Sequence, residues 1–234
     1  MNFQTITIAL VGGIIPALFW LWFWLREDKR KPEPKGLIAL TFLGGFVAVL
    51  LALFAEKFVK EYVLVSASIM IILWSAIEEI FKYVASYFTS LRKHDMDEPV
   101  DAMVYLITTA LGFAALENVL FLISETGILE GIVAGNMRFM GATVLHTLTS
   151  GVVGLFIGLS FYKSALTKKI YLLIGLILSI ALHSIFNLLI INGEDENIFM
   201  VFGLVWFAVI VLILLFEKVK RIRPQNINQK NRLL

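Results

Sequence analysis

The chain has 234 residues, 59% of them hydrophobic and 16% charged, with a formal net charge of +2 and no cysteine. A soluble domain carries about 45–50% apolar and about 25% charged residues, so the composition excludes an ordinary water-facing fold. The lack of cysteine removes disulfides, iron–sulfur clusters, cysteine zinc sites and thiol nucleophiles.

A helix that crosses a bilayer needs about 20 mostly apolar residues. Seven stretches meet this requirement, at approximately 5–25, 36–55, 66–90, 101–124, 139–162, 170–192 and 197–216. The predicted fold is therefore all-α, a polytopic membrane helix bundle of about seven transmembrane helices. Residues 1–216 form a single membrane domain, and 217–234 form a basic cytoplasmic tail. The first stretch is longer than a signal-peptide core, and Met1 to Gln4 carry no Lys or Arg, so it is expected to remain as a span. Residues 125–137 are semi-apolar but interrupted by Glu130 and Asn136. They are expected to form an interfacial or re-entrant helix; if they span, the count becomes eight.

The basic residues sort by side. With the N-terminus outside and seven spans, the cytoplasmic segments hold 16 Lys and Arg, in Arg26–Lys35, Arg92–Lys93, Lys163–Lys169 and the tail. The outer segments hold 3, namely Lys57, Lys60 and Arg138, and Lys82 lies within a span. Short cytoplasmic loops carry the excess of positive charge, so the predicted orientation is N-out and C-in. The tail reads as a topology anchor at an anionic leaflet rather than a nucleic-acid site.

Ionisable groups inside a span are costly and therefore candidates for function. The first, second and seventh spans have none. The third holds Glu78, Glu79 and Lys82; the fourth Glu117 and Asn118; the fifth His146, with Arg138 at its edge; and the sixth His183 and Asn187. On a helix, i and i+4 share a face. One lysine at position 82 pairs with one carboxylate and leaves the other free. His183 shares a face with Asn187, and His146 with Ser150. At about 1.5 Å per residue, Glu78 lies about 18 Å from the outer boundary and the two imidazoles roughly 10 Å from it. The expectation is a polar pocket between the midplane and the outer face. Asp101 and Arg138 sit at span ends, where snorkelling is expected. Trp20, Trp22, Trp24 and Trp206 read as interface anchors, and His94 as a solvated loop residue.

Several chemistries are excluded. No G-x-S-x-G occurs, no Asp lies deep in a span, and neither His146 nor His183 belongs to an H-E-x-x-H helix. Two remain open: a water activated by a carboxylate, with His and Asn one turn apart stabilising the oxyanion, and a zinc site assembled from Glu and His on several helices. A non-enzymatic transporter or scaffold is the reading from another class, although no paired halves of the transporter kind are visible.

Glu78-Glu79-Ile80-Phe81-Lys82 resembles the E-E-x-x-K motif of the PrsW-like intramembrane proteases, within the wider CAAX-protease and bacteriocin-processing superfamily. Asp97–Tyr105 with Leu111–Asn118 is similar to that family's D-G/A-x-V-Y and G-F-A-x-x-E-N segments. Arg138 with His146 resembles its third motif, and His183-Ser184-Ile185-Phe186-Asn187 its H-x-x-x-D/N motif. Lys31-Pro32-Glu33-Pro34 is similar to its acidic E-P loop. Phe113 is followed by Glu117 where the wider superfamily has F-x-x-x-H. The resemblance implies a glutamic-type endopeptidase in the cell membrane, acting as a site-1 protease on a single-span membrane protein such as an anti-sigma factor. It implies Glu78 as general base, tuned by Glu79 and Lys82. His183 and Asn187 would stabilise the oxyanion, and His146 would orient water or substrate. Glu117, Asn118 and Arg138 would support them. No cofactor is required on this reading, with zinc as the alternative, and nothing in the sequence sets the oligomeric state.

Overall fold

The computed structural model describes residues 3–28, 31–124, 141–192 and 198–224. Among these residues the chain is helical and has no strand. The helices are α1 (Phe3–Glu27), α2 (Lys35–Tyr62), α3 (Ala67–Ser86), α4 (Asp101–Ser124), α5 (Ala142–Leu159), α6 (Ala165–Asn192) and α7 (Ile198–Val219). Six of them are long and apolar enough to cross a membrane. The other is α3, which holds Glu78, Glu79 and Lys82 within 20 residues and is closed at its C-terminal end by a π turn, Tyr87–Leu91. The fold is thus a multi-pass, all-α membrane bundle. The segment 125–137 and Arg138 lie outside the described residues.

The axle of the bundle is α4. It is apolar all round, and a helix of that kind is buried on every side. From Asp101 to Ala115 every residue is buried, with α1, α2 and α5 packed around it. Lipid tails are as apolar as leucine, so helices in a membrane gain little from apolar burial and associate by close backbone packing over small residues. Gly45 of α2 and Gly112 of α4 meet in this way. A Cβ on Gly112 would run into the Phe42 carbonyl oxygen, and one on Gly45 would meet the backbone of Thr109 and Phe113. Gly154 brings α5 onto the opposite side of α4, where its Cβ would lie 2.6 Å from the Cα of Met103. Farther out, α3 packs on α2 and α6, and α7 closes the bundle against α5. Large apolar side chains such as Phe54, Leu173 and Leu214 point outward, as a bilayer solvent permits.

Three expectations are corrected. Trp20 and Trp24 are not interface anchors: they are only 7% and 1% exposed. Their rings pack against Trp206 and Phe216 at 5.6 and 5.4 Å, because a ring on the inner face of α1 gains more dispersion contact against α7 than at the headgroups. Asp101 does not snorkel. It is 1% exposed, and its Oδ2 accepts the backbone N–H groups of Asp97 and Glu98 at 2.9 and 2.6 Å, which satisfies donors ahead of the first turn of α4. Lys57 and Lys60 stand in the last turns of α2 rather than in a loop.

At the other end of α4 from Glu117, Asp101 meets Asp28 and Glu33. Burial first, then the Asp101 charge, pushes the Asp28 carboxyl up to about 7 and that of Glu33 up to about 9.

The α2–α4 crossing gives a direct test. Gly112→Ala is expected to lower stability in detergent by roughly 2–3 kcal/mol through overpacking. Gly203→Ala, whose added Cβ meets nothing within 4 Å, should change it by less than about 1 kcal/mol. Thermal unfolding of the two variants side by side checks this, and equal melting would show that the close crossing is not needed.

Candidate active site

The site is built on α3, where Glu78, Glu79 and Lys82 occupy one turn. The geometry selects the i,i+3 pair: Lys82 Nζ donates to Glu79 Oε1 at 2.5 Å, with both side chains buried. An ammonium and a carboxylate are tolerated at such depth only when paired and hydrogen-bonded. Glu79 is bonded to saturation. Thr149 Oγ1 of α5 donates to its Oε1 at 3.0 Å, Ser179 Oγ of α6 donates to its Oε2 at 2.8 Å, and His183 Nδ1 lies 2.7 Å from Oε1. One carboxylate thereby ties α3 to α5 and α6.

These contacts set the histidine tautomers. Facing an ionised Glu79, His183 Nδ1 carries the proton and Nε2 keeps its lone pair. His146 Nε2 lies 2.9 Å from Glu117 Oε2 and donates to it. Its Nδ1 then accepts from Lys82 Nζ at 3.1 Å. Glu78 stands apart from this arrangement. Its Oε2 is buried and has no hydrogen-bond partner among the described residues. It faces His183 Nε2 at 3.8 Å and His146 Nδ1 at 3.9 Å, too far for hydrogen bonds. Three acceptor atoms from three helices therefore meet in one small volume, and one of them, His146 Nδ1, already takes a proton of Lys82. Glu78, His146 and His183 each offer one ligand atom within 4.8 Å of the others.

Around this centre, Phe113 packs its ring 5.3 Å from that of His146 and 5.1 Å from Lys82 Nζ, and the two imidazoles meet edge to face at 5.1 Å. Asn118 is one turn removed: its Nδ2 donates to Thr143 Oγ1 at 2.9 Å, joining α4 to α5. Asn187 is half-buried one turn past His183. Glu117, with its side chain 30% exposed, is the most accessible carboxylate of the group.

The structure brings Glu78, Glu79, Lys82, Glu117, His146 and His183 into one cluster from α3, α4, α5 and α6. Arg138 falls outside the described residues. Sequence reasoning misses Thr149 and Ser179. Ser179 precedes His183 by one turn on the same face, a spacing that could have found it. For Thr149 the helical spacing from His146 points to its neighbour Ser150 instead, yet Ser150 Oγ is buried without a partner.

An all-helical membrane bundle that gathers carboxylates and imidazoles at one buried point has the architecture of an intramembrane hydrolase. The chain belongs to the family described as PrsW family intramembrane metalloprotease, which it matches over residues 33–215. It is similar to the protease PrsW of Oceanobacillus iheyensis, 29% identical over 223 residues covering 93% of this chain and 97% of that protein. It is also similar to the protease PrsW of Geobacillus kaustophilus, 28% identical over 192 residues covering 81% and 82%. The protease PrsW of Bacillus subtilis is 24% identical over 223 residues covering 93% and 97%. No solved structure matches the chain. The family makes the protein a peptidase, and the transporter reading is set aside.

The Glu79–Lys82 pair can be tested by a double-mutant cycle. Lys82→Met leaves a buried carboxylate without its cation and is expected to lower stability by about 3–5 kcal/mol. Adding Glu79→Gln removes the stranded charge, so the double variant should lose less than the sum of the single ones. Denaturant unfolding in detergent measures both, and strict additivity would mean that the pair is not coupled.

Proposed function

We propose that the protein hydrolyses a peptide bond of a single-span membrane protein, using a water activated between Glu78, His146 and His183. The observation that carries this reading is the buried Oε2 of Glu78, which has no hydrogen-bond partner among the described residues and lies 3.8 Å from His183 Nε2 and 3.9 Å from His146 Nδ1. Acceptors directed at one another need a positive or proton-bearing group between them.

The donor set fits zinc. Two imidazoles and one carboxylate are the ligand set of a catalytic zinc site, and the Glu78 separations of 3.8 and 3.9 Å would have to shorten toward the roughly 3.3 Å expected for bonds of about 2.0–2.1 Å. Both imidazoles are also backed by carboxylates, Glu79 behind His183 and Glu117 behind His146, the outer-shell pairing that orients metal-bound histidines. Glu78, His146 and His183 would hold the ion, with His146 Nδ1 giving up its hydrogen bond from Lys82, and the ion would supply an acidified water and polarise the scissile carbonyl. Glu79 and Glu117 fix the two ring orientations, and Lys82 balances the Glu79 charge. Asn187 is free to donate its amide N–H to the carbonyl oxygen. The packed helices keep out bulk water.

A second reading rests on Lys82 Nζ, 3.1 Å from His146 Nδ1, a cation already beside one of the ring nitrogens. Here Glu78 itself takes the proton of the attacking water, and His183 and Asn187 stabilise the oxyanion. Both readings place Glu78 at the centre. The family resemblance supports a membrane-anchored regulator such as an anti-sigma factor as substrate, cut outside the cytoplasm, with the enzyme in the cell membrane. The N-out orientation from the basic residues agrees with this, since the cluster sits about one turn into α5 and about two turns before the end of α4.

The test is reconstituted cleavage of a single-span substrate. Glu78→Gln is expected to reduce cleavage by at least about 100-fold while the protein stays folded. Purified wild-type protein should hold one zinc per chain, and a chelator should abolish cleavage until zinc is restored. Glu117→Gln should weaken zinc binding by about 10–100-fold. Full cleavage by metal-free protein would replace the first reading with the second, and full cleavage by Glu78→Gln would overturn both.

A further inference from the structure

A second cluster of carboxylates lies at the far end of α4. Asp28 follows α1, Glu33 belongs to the loop between α1 and α2, and Asp101 opens α4. Each offers one oxygen within 4.8 Å of the other two. This group is separate from the peptidase centre: sixteen residues of α4 separate Asp101 from Glu117, about 24 Å along the helix.

We infer that this junction is a binding site for a hard divalent cation of the magnesium and calcium class. Three carboxylates gathered from three segments repel one another when ionised, so without an ion they retain protons, and a divalent cation displaces those protons by reversing the sign. The donors are all oxygen, which selects magnesium, calcium or manganese over zinc and copper. Ion–oxygen bonds of about 2.0–2.6 Å place ligands around one ion within the observed spacing.

A separate observation points to a ligand. Asp28 is 5% exposed, and its Oδ2 is buried with no hydrogen-bond partner among the described residues. A buried carboxylate oxygen without a donor is costly, whereas the other two carboxylates of the junction are partnered. Asp101 Oδ2 is fixed by the Asp97 and Glu98 N–H groups, and the Tyr105 hydroxyl donates to Glu33 Oε2. These bonds hold two of the three ligands in position before any ion arrives.

Among the described residues no neighbouring cation hydrogen-bonds the cluster, although the Lys220 charge acts on Asp28 at longer range. Asp28 lines a cavity of about 260 Å³ together with Lys31, Lys220 and Arg223. Yet Lys31 pairs with Asp97, Lys220 pairs with Glu217 at 2.5 Å, and Arg223 donates to the carbonyls of Lys220 and Ile222. None of the three bonds a carboxylate of the cluster. An ion here joins the end of α1, the α1–α2 loop and the start of α4, so its binding stabilises the folded chain by mass action.

Manganese titration of the full-length protein in detergent, followed by electron paramagnetic resonance, tests the inference. The wild type should bind one manganese per chain in saturable fashion, displaced by magnesium or calcium, and either ion should raise the melting temperature. Asp28→Asn and Glu33→Gln should each weaken binding by at least about 10-fold and abolish that rise, whereas Glu78→Gln should leave both intact. If one of the first two variants fails to fold, the other decides. Absence of saturable binding in the wild type, unchanged affinity in a folded Asp28 or Glu33 variant, or loss of binding in Glu78→Gln would each overturn the proposal.

Discussion

The buried Glu79 carboxylate is the point through which α3, α5 and α6 are held in register. It accepts from Lys82 on its own helix, from Thr149 on α5, and from Ser179 and His183 on α6. Away from water, each of these groups would be destabilised alone. Together they satisfy one another, and the arrangement admits little sliding, because moving any helix strands a charge. A buried ion pair is weak evidence for stability as such. Its better attested use is to specify one arrangement, and here it fixes the tautomer of His183 and so the direction of a lone pair. Lys82, Thr149, Ser179 and His183 all bond Glu79, which leaves the Oε2 of Glu78 next door without a hydrogen bond among the described residues.

A polar network of this kind requires a rigid frame, and α4 supplies it. Gly45 and Gly154 let α2 and α5 reach its backbone from two sides. Contact at that range leaves no slack for a helix to shift by a fraction of an ångström. Glu117 and Phe113 are therefore presented to His146 from a helix that is itself immobilised. The outer helices contribute differently: α1, α2 and α7 carry apolar faces outward, which confines the ionisable groups to the interior where helix pairs can partner them.

Much of this is legible in the sequence because membranes make polarity conspicuous. Seven apolar runs give the helices, and the few ionisable residues among them name the four that build the site. The choice between Glu78 and Glu79 as Lys82's partner is not legible. Both lie within reach on a helical wheel, and the decision falls to Thr149, Ser179 and His183, which act across helices rather than along the chain. Trp20 and Trp24 escape sequence reasoning for a related reason. An aromatic ring near a span end suits both a headgroup and a neighbouring helix, and only the position of α7 decides. Asp101 reads as a surface residue because it stands at a helix end, yet its backbone partners at Asp97 and Glu98 belong to a folded-back loop that no periodicity announces.

The two ends of α4 differ in visibility for the same physical reason. Near Glu117, carboxylates and imidazoles interrupt apolar sequence, so the cost of burying them is evident from the residues alone. Near Asp101, the acidic residues sit among lysines and arginines in loops, where charge is ordinary. Their burial arises only when Trp24 packs inward, carrying the end of α1 and thus Asp28 against the start of α4. The inward turn of α1 and the carboxylate cluster are one event. A helix whose aromatic residues had remained at the headgroups would have left Asp28 in water. The acidic junction is thus a product of tertiary packing, while the candidate active site is written into the helices themselves.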